Sequence, residues 1–426
     1  MASPAKLPPM STPSHDQSPS PAFTCHTLII GAGPAGSAAA RVLAQAGVDV
    51  LLVDQHPMGR DKICGDGLIP DAHQALQRLG LLEPVMARAR HVTHVGCIGP
   101  RGGRIDVPGE LAVLPRKELD EILAQGAVDA GARFMAPYRF ENVLEDASGR
   151  VVGARFRCGE QHVEIRADWV LLATGANPKP LQTVGLCERH TPSGVALRGY
   201  VHAPALVGKI PMMDVVWNRA VRPGYGWIFP APGDCFNIGV GVTDSHRDLS
   251  SGKGAKKDVN LRAIFDAFCA HYPPAATLMR DGRLVGELKG APLRCTLRGA
   301  RWSRPGLMVI GEAAGSTYSF TGEGIGKAME TGMLAADALI AARQDASLDE
   351  AQVRQRYEQG LRHLQPRYDL YERANRVNAM PWLADLLIWR AQRSPRLLRR
   401  MSGVLNETSN PGNLVSLKGL ARLFLE

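Results

Sequence analysis

The feature that most constrains this chain is the run Gly31-Ala-Gly33-Pro-Ala-Gly36. A short apolar stretch, Thr24 to Ile30, leads into it, and an Ala-rich segment, Ser37 to Ala46, follows. After Gly47 a second apolar stretch, Val48 to Val53, ends on Asp54. That order predicts strand, glycine turn, helix, strand and acid, as a dinucleotide site requires. Gly31 permits the tight turn, and Gly33 lets the backbone approach a pyrophosphate. Gly36 lets the helix lie close to the strand, and the helix N-terminus faces the negative charge. Asp54 stands 23 residues after Gly31, where a carboxylate can accept both hydroxyls of an adenosine ribose. A glycine turn alone is weak evidence; the flanking elements and the acid make it specific.

At 426 residues the chain has room for two or three domains, or for one large enzyme fold with an inserted part. Hydrophobic residues make up 45% and charged residues 21%, which excludes global disorder and a fibrous fold. Lys plus Arg number 50 against 41 Asp plus Glu. The resulting charge of +9 favours anionic partners, or simply reflects a solvated surface. Eight cysteines, at 25, 64, 97, 158, 187, 235, 269 and 295, have neither metal-type spacing nor the pattern of a disulfide framework. His91 and His94 are spaced for one helix face but lack a third ligand, so no metal site is expected. The Pro- and Ser-rich stretch Met1 to Ala22 reads as a disordered tail, neither a signal peptide nor a membrane span. The expected location is therefore the cytoplasm, and no repeat or nucleic-acid module is visible.

A second constellation lies far along the chain. Leu307-Met-Val-Ile310 is an apolar strand running into Gly311-Glu312-Ala-Ala-Gly315 and then Thr321-Gly322-Glu323-Gly324-Ile325, before a long amphipathic helix, Gly326 to Arg343. This resembles FAD enzymes of the hydroxylase superclass, where the strand end supplies a carboxylate to the ribitol. In them the next helix points its N-terminus at the flavin, where it stabilises the negative charge of the reduced ring. Leu114-Pro-Arg116-Lys-Glu-Leu119-Asp120 resembles the helix of that superclass whose arginine reaches the FAD phosphate or ribitol. Asp168-Trp-Val-Leu-Leu-Ala-Thr-Gly175 resembles the strand that closes its FAD domain. Four motifs in this order imply bound FAD.

Two more stretches narrow the resemblance. Lys62-Ile-Cys64-Gly65-Asp66-Gly67-Leu68-Ile-Pro70 follows the second strand. Later comes Pro223-Gly-Tyr225-Gly-Trp227-Ile-Phe229-Pro230, with Gly239-Val-Gly241 beyond it. Together with Thr321 to Ile325 these resemble the geranylgeranyl reductase family of flavoproteins, over roughly residues 25 to 345. Read from the residues, Tyr225 to Phe229 and Cys235 to Val242 form a hairpin. Tyr225, Trp227 and Phe229 then share one face. Gly239 and Gly241 leave room on the partner strand for a backbone or ligand to approach. The resemblance implies that the aromatic face lines a substrate cavity beside the flavin, the alternative being plain sheet core. It also implies FAD contacts from Ala35, Asp54, Cys64, Gly65, Gly67, Arg116, Val143, Glu312, Gly324 and Ile325. The family usually has Asp where Glu312 stands. The Asp-Gly segment that classical hydroxylases use for FAD and NADPH is missing after Gly175, so a separate electron donor is expected. Flavin halogenases have a similar aromatic segment but need a catalytic lysine. Here the first lysine after Pro70 is Lys117, and halogenation is not expected.

The expected fold is α/β: a three-layer FAD-binding domain from 25–190 and 301–345, and an inserted antiparallel substrate sheet from 191–300. A tail, 1–24, precedes them and a helical region, 346–426, follows. The expected function is reduction of an isoprenoid or lipid carbon–carbon double bond, with Tyr225 as candidate proton donor, Trp227 as a π surface for developing positive charge, and Cys64 as a third candidate. The alternative is an FAD monooxygenase hydroxylating an aromatic or peptidyl substrate, because the cofactor motifs serve either chemistry. Pro381 to Met401 mixes Trp382, Trp389 and leucines with Arg390, Arg393, Arg396, Arg399 and Arg400. Such a stretch can lie on an anionic membrane, or form a lid with its arginines in water. Ser250 to Lys257 reads as an exposed loop.

Overall fold

The computed structural model describes residues 23–243 and 259–409. The stretches Met1 to Ala22 and Ser250 to Lys257, read above as a tail and an exposed loop, lie outside them. Two sheets organise the chain. The first runs in the order Ser303–Arg304, Leu307–Val309, Gln161–Leu172, Phe23–Ile30, Val50–Val53, Arg133–Met135. From Leu307–Val309 to Arg133–Met135 its strands are parallel. Leu28, Ile29 and Ile30 are buried without alternation, as in a parallel strand covered on both faces.

Register explains how distant motifs meet. Ile30 pairs with both Val53 and Leu172, and Leu172 pairs with Val309. Four strands thus end level with one another, and the next residues are Gly31, Asp54, Ala173 and Ile310. The crevice beyond the carboxyl ends of such strands is where α/β sheets bind ligands. The first helix, Pro34–Gln45, starts at once because Gly33 caps it without a side chain and Pro34 takes the first turn. A Cβ on Gly36 would lie 1.9 Å from the Gly31 carbonyl oxygen, and one on Gly332 would lie 2.2 Å from that of Ala35. Glycines therefore seat this helix between the strand and the long helix Ile325–Gln344.

The second sheet is ordered Arg283–Leu293, Gly194–His202, Cys235–Thr243, Gly224–Ala231, Met213–Val216, Arg90–Ile98, Arg104–Val113, Gly67–Leu68. It is antiparallel except where Met213–Val216 runs parallel to Arg90–Ile98. It is therefore broader than 191–300, since three of its strands come from the segment before residue 190. His91 and His94 stand on the strand Arg90–Ile98 rather than on a helix. One face of the sheet packs under the helices Leu261–His271 and Pro273–Asp281 through Phe265, Phe268 and Leu278. Beyond the long helix, Glu350–Ala374 opens with a capping box between Asp349 and Gln352. The helices Trp382–Ala391 and Pro395–Leu405 then fold against the other face of the second sheet. No helix among the described residues is long and apolar enough to cross a membrane.

Candidate active site

A cavity of about 1140 Å³ opens at the carboxyl ends of the parallel strands and continues beneath the second sheet. Of the cofactor contacts and catalytic candidates named from sequence, all line it except Gly36 and Val143; of the two hairpin glycines, Gly241 lines it and Gly239 does not. Gly36 is inside the helix–strand contact described above. Val143 is packed in the core between the first sheet and its hairpin Arg139–Glu145, Val151–Cys158. Arg139, Phe140 and Glu141 of that strand face the cavity instead. A bulge between Phe140 and Asn142 shifts the register there, and no sharp motif had fixed it.

The polar end is built by the first sheet. Asp54 accepts from the backbone N–H groups of Ala32 (2.8 Å) and His56 (2.9 Å), so its carboxylate is fixed across the glycine turn. Arg60 lies 3.9 Å from it. Arg116, nearly buried, donates to both oxygens of Asp120 at 2.6 and 2.7 Å. Burial works against its charge, but the Asp120 carboxylate more than compensates and keeps the guanidinium protonated. The arginine predicted to reach a phosphate is thus oriented by the aspartate one helical turn on. Its Nη2 would be 3.9 Å from a Cβ at Gly33, beside the turn. Across the cavity, Glu312 accepts from the Thr317 hydroxyl at 3.4 Å.

The apolar end is built by the second sheet. Tyr225, Trp227 and Phe229 do form one row, with ring centroids 6.2 and 6.3 Å apart. Trp217 extends it, 6.3 Å from Tyr225, and was not recognised from sequence because it lies on a separate segment. The space at Gly239 is taken by protein: a Cβ there would lie 2.3 Å from Cζ2 of Trp227, so the glycine admits the indole rather than a ligand. Val95, Val107, Met213, Leu387, Ile388 and Leu405 add to the apolar lining.

Between the two ends sits the loop Lys62 to Gly67, and its organiser is Asp66, which the sequence did not single out. Asp66 is fully buried and adopts φ +65, a left-handed conformation uncommon outside glycine. Its carboxylate accepts from the Tyr200 hydroxyl, from Asn237 Nδ2 (2.7 Å) and from the Arg116 backbone N–H (3.3 Å). Asn237 also donates to the Cys64 carbonyl (2.8 Å) and accepts from the Trp227 indole (2.8 Å). One network therefore joins the loop, the Arg116 helix and the aromatic row. Burial pushes the Asp66 carboxyl up to about 6, against the pull of Tyr200, Asn237, Arg198 and Arg116.

The three catalytic candidates fare differently. The Tyr225 hydroxyl donates to the Thr321 carbonyl, and burial raises its pKa. That bond tethers the Thr321–Gly324 loop to the aromatic row. The Cys64 thiol accepts from the Asp66 N–H at 3.4 Å, and burial raises its pKa despite nearby Arg116. That is a wall residue, not an activated nucleophile. Trp227 presents its ring to the cavity as expected. A group that sequence reading missed is the Glu323 carboxyl, which lines the cavity with Oε2 buried, next to the Thr321 hydroxyl. Burial raises its pKa well above the usual value, reinforced by Asp71 and Glu407 and opposed by Lys327 and by the hydrogen bond with Thr321.

Known proteins share these features. An FAD binding domain family matches residues 24–218. A menaquinone reductase of Mycolicibacterium smegmatis is 34% identical over 329 residues, 73% of this chain and 75% of that protein. A digeranylgeranylglycerophospholipid reductase of Methanosarcina mazei is 29% identical over 349 residues, 79% and 80% of the two chains. The crystal structure of a geranylgeranyl bacteriochlorophyll reductase-like protein from Thermoplasma acidophilum superposes with a TM-score of 0.73 at 22% identity, covering 95% of this chain and 96% of that one. The chain belongs to the geranylgeranyl reductase family. Like that family it is an FAD-dependent oxidoreductase of mixed α/β fold, and its cofactor is FAD. The cavity's own chemistry fits. Its polar end takes in the uncapped N-termini of Pro34–Gln45 and Ile325–Gln344, which suit a pyrophosphate and a reduced flavin ring. Two buried polar atoms without a partner, Thr174 Oγ1 and Arg198 Nε, belong to lining residues of this geranylgeranyl reductase family member.

Proposed function

We propose that this protein reduces a carbon–carbon double bond in the isoprenoid part of a lipid. The observation that carries the reading is the join between two unlike halves of one cavity. A polar half suited to a dinucleotide runs directly into an apolar half walled by four aromatic rings and by helix residues near the C-terminus. A long hydrocarbon chain suits that half, and the two reductases described above are named for menaquinone and for a digeranylgeranylglycerophospholipid. In this reading the N–H groups after Gly33 hold the pyrophosphate, Asp54 the ribose, and Arg116 the phosphate or ribitol. Gly31, Ala35, Gly311, Glu312, Gly322, Gly324 and Ile325 shape the cofactor's bed, and Cys64, Gly65 and Gly67 form the loop that meets the ring.

Reduced FAD supplies the hydride. The protein must present the alkene, exclude water and deliver a proton. Tyr225, Trp227 and Phe229 hold the chain flat and dry, and the Trp227 face steadies positive charge that develops on carbon. The proton comes from Glu323, the lining acid whose proton burial holds more tightly than usual. Electrons reach the flavin from a separate donor, in keeping with the missing Asp-Gly segment after Gly175. The enzyme works at the membrane surface, where such lipids reside.

The test is anaerobic turnover with dithionite as reductant, offering menaquinone and a digeranylgeranyl glycerophospholipid in turn. Mass spectrometry and NMR then locate the added hydrogens. Gain of hydrogen pairs in a polyprenyl chain is expected with at least one lipid. Hydrogen added only to the quinone ring, or to neither lipid, overturns the reading.

A further inference from the structure

Among the large apolar side chains that the described residues expose, three fall within ten positions of one another: Met380, Trp382 and Trp389, at 47%, 56% and 43% exposure. Trp382 and Trp389 are seven residues apart on the helix Trp382–Ala391, so both project from one face, with Leu386 between them. The opposite face is already used. Leu383, Ala384, Leu387 and Ile388 are buried, and the last three line the cavity. Two neighbouring indoles left in water forgo the apolar burial that a covering surface would supply.

The charge around them is predominantly positive. The guanidinium groups of Arg390 and Arg393 lie 5.8 and 4.9 Å from the Trp389 ring, and Arg393, Arg396 and Arg399 are exposed. From Trp382 to Asn406 the sole acid is Asp385. Its carboxylate already accepts from the Arg101 backbone N–H at 3.0 Å and pairs with the Arg101 guanidinium at 3.9 Å. A groove of about 840 Å³ runs beside both tryptophans, with Arg101, Arg219 and His271 on its wall. Indoles prefer the boundary between headgroup and acyl chain, and arginines beside them meet phosphates.

We propose that the outer face of the helices Trp382–Ala391 and Pro395–Leu405 docks on an anionic phospholipid bilayer. Trp382 and Trp389 enter the boundary layer, and Arg393, Arg396 and Arg399 lie on lipid phosphates. The proposal gives a surface to the membrane contact of the preceding section and rests on that reading for its purpose alone. Because the inner side of the same helix walls the cavity, docking sets that wall against the bilayer.

The test is sedimentation of the FAD-loaded enzyme with vesicles of phosphatidylcholine alone or mixed with phosphatidylglycerol. Binding to the mixed vesicles, reversed by salt, is expected. The triple variant R393Q/R396Q/R399Q should partition roughly a hundredfold less, at about fivefold per basic residue near an anionic surface. The pair W382A/W389A should lose binding to both vesicle types. Flavin absorbance reports that each variant remains folded. Equal binding to both vesicles, or variants that bind as the parent does, overturns the proposal. So does loss of self-association in W382A/W389A without any vesicle binding, which would make this face a contact between copies. Vesicle binding needs no turnover, so its failure is separable from failure of the substrate reading.

Discussion

Single residues set the terms of this site. Gly31 has φ +110, and a Cβ there would lie 2.4 Å from the Ala173 carbonyl oxygen. Gly31→Ala therefore adds a clash to about 1–3 kcal/mol of backbone strain. The purified variant should lack flavin absorbance while its far-UV circular dichroism stays close to the parent's. Asp66 makes a pH prediction. Its folded pKa is raised from 3.8 to about 6, so the proton binds more tightly to the folded state. The stability linked to that proton is fully present below the unfolded pKa and is lost as pH rises through about 6. Asp66→Asn should remove up to one proton's worth of slope, about 1.4 kcal/mol per pH unit, from stability measured by denaturant between about pH 4 and 6. It should also shift Trp227 fluorescence, because Asn237 links the two side chains. Glu323→Gln keeps shape and loses the proton. Single-turnover reduction of the lipid should slow by about 10²–10⁴-fold, and the infrared band of a protonated carboxyl should disappear from the folded protein even without substrate.

At the scale of elements, the hairpin Gly224–Ala231 and Cys235–Thr243 shows how far sequence carries. Its alternation placed three rings on one face, and the rings do stand in one row, with centroids 6.2 and 6.3 Å apart. What the glycines were for was not legible, because a missing side chain does not say which neighbour fills the space. The structure makes them unequal. A Cβ at Gly239 would be 2.3 Å from the indole, but one at Gly241 would be 3.6 Å away, an ordinary contact. Gly239→Val should cost about 1–3 kcal/mol in thermal or denaturant unfolding, whereas Gly241→Ala should leave stability nearly unchanged. The first sheet was legible because its motifs are local: a glycine turn needs only its own two strands and helix. The strand Arg90–Ile98 was not placed in the second sheet, since its partner Met213–Val216 lies more than a hundred residues on and alternation carries no address. Asp66 was hidden for the same reason. Its donors Tyr200, Asn237 and Arg116 come from three separate elements, and a single acid in a Cys-Gly-Asp-Gly run gives no sign that they will converge.

For the whole molecule, the two sheets contribute unlike chemistries to one cavity, and the helices near the C-terminus close its apolar side. The first sheet offers level strand ends and two helix N-termini to a dinucleotide. The second offers an aromatic wall, fastened to the first through Asp66 and through the Tyr225 tether to Thr321. Cofactor motifs alone serve reductases and oxygenases equally; the apolar half of the cavity is what favours reduction of a lipid. The measurement that tests this most directly is an anaerobic single turnover. The enzyme is photoreduced, mixed with a geranylgeranyl lipid, and followed by flavin absorbance and product mass. Reoxidation of the flavin without oxygen, with two hydrogens gained by the lipid for each flavin oxidised, is the result expected. A flavin that stays reduced until oxygen is admitted would contradict the account and point to hydroxylation of an aromatic or peptidyl substrate.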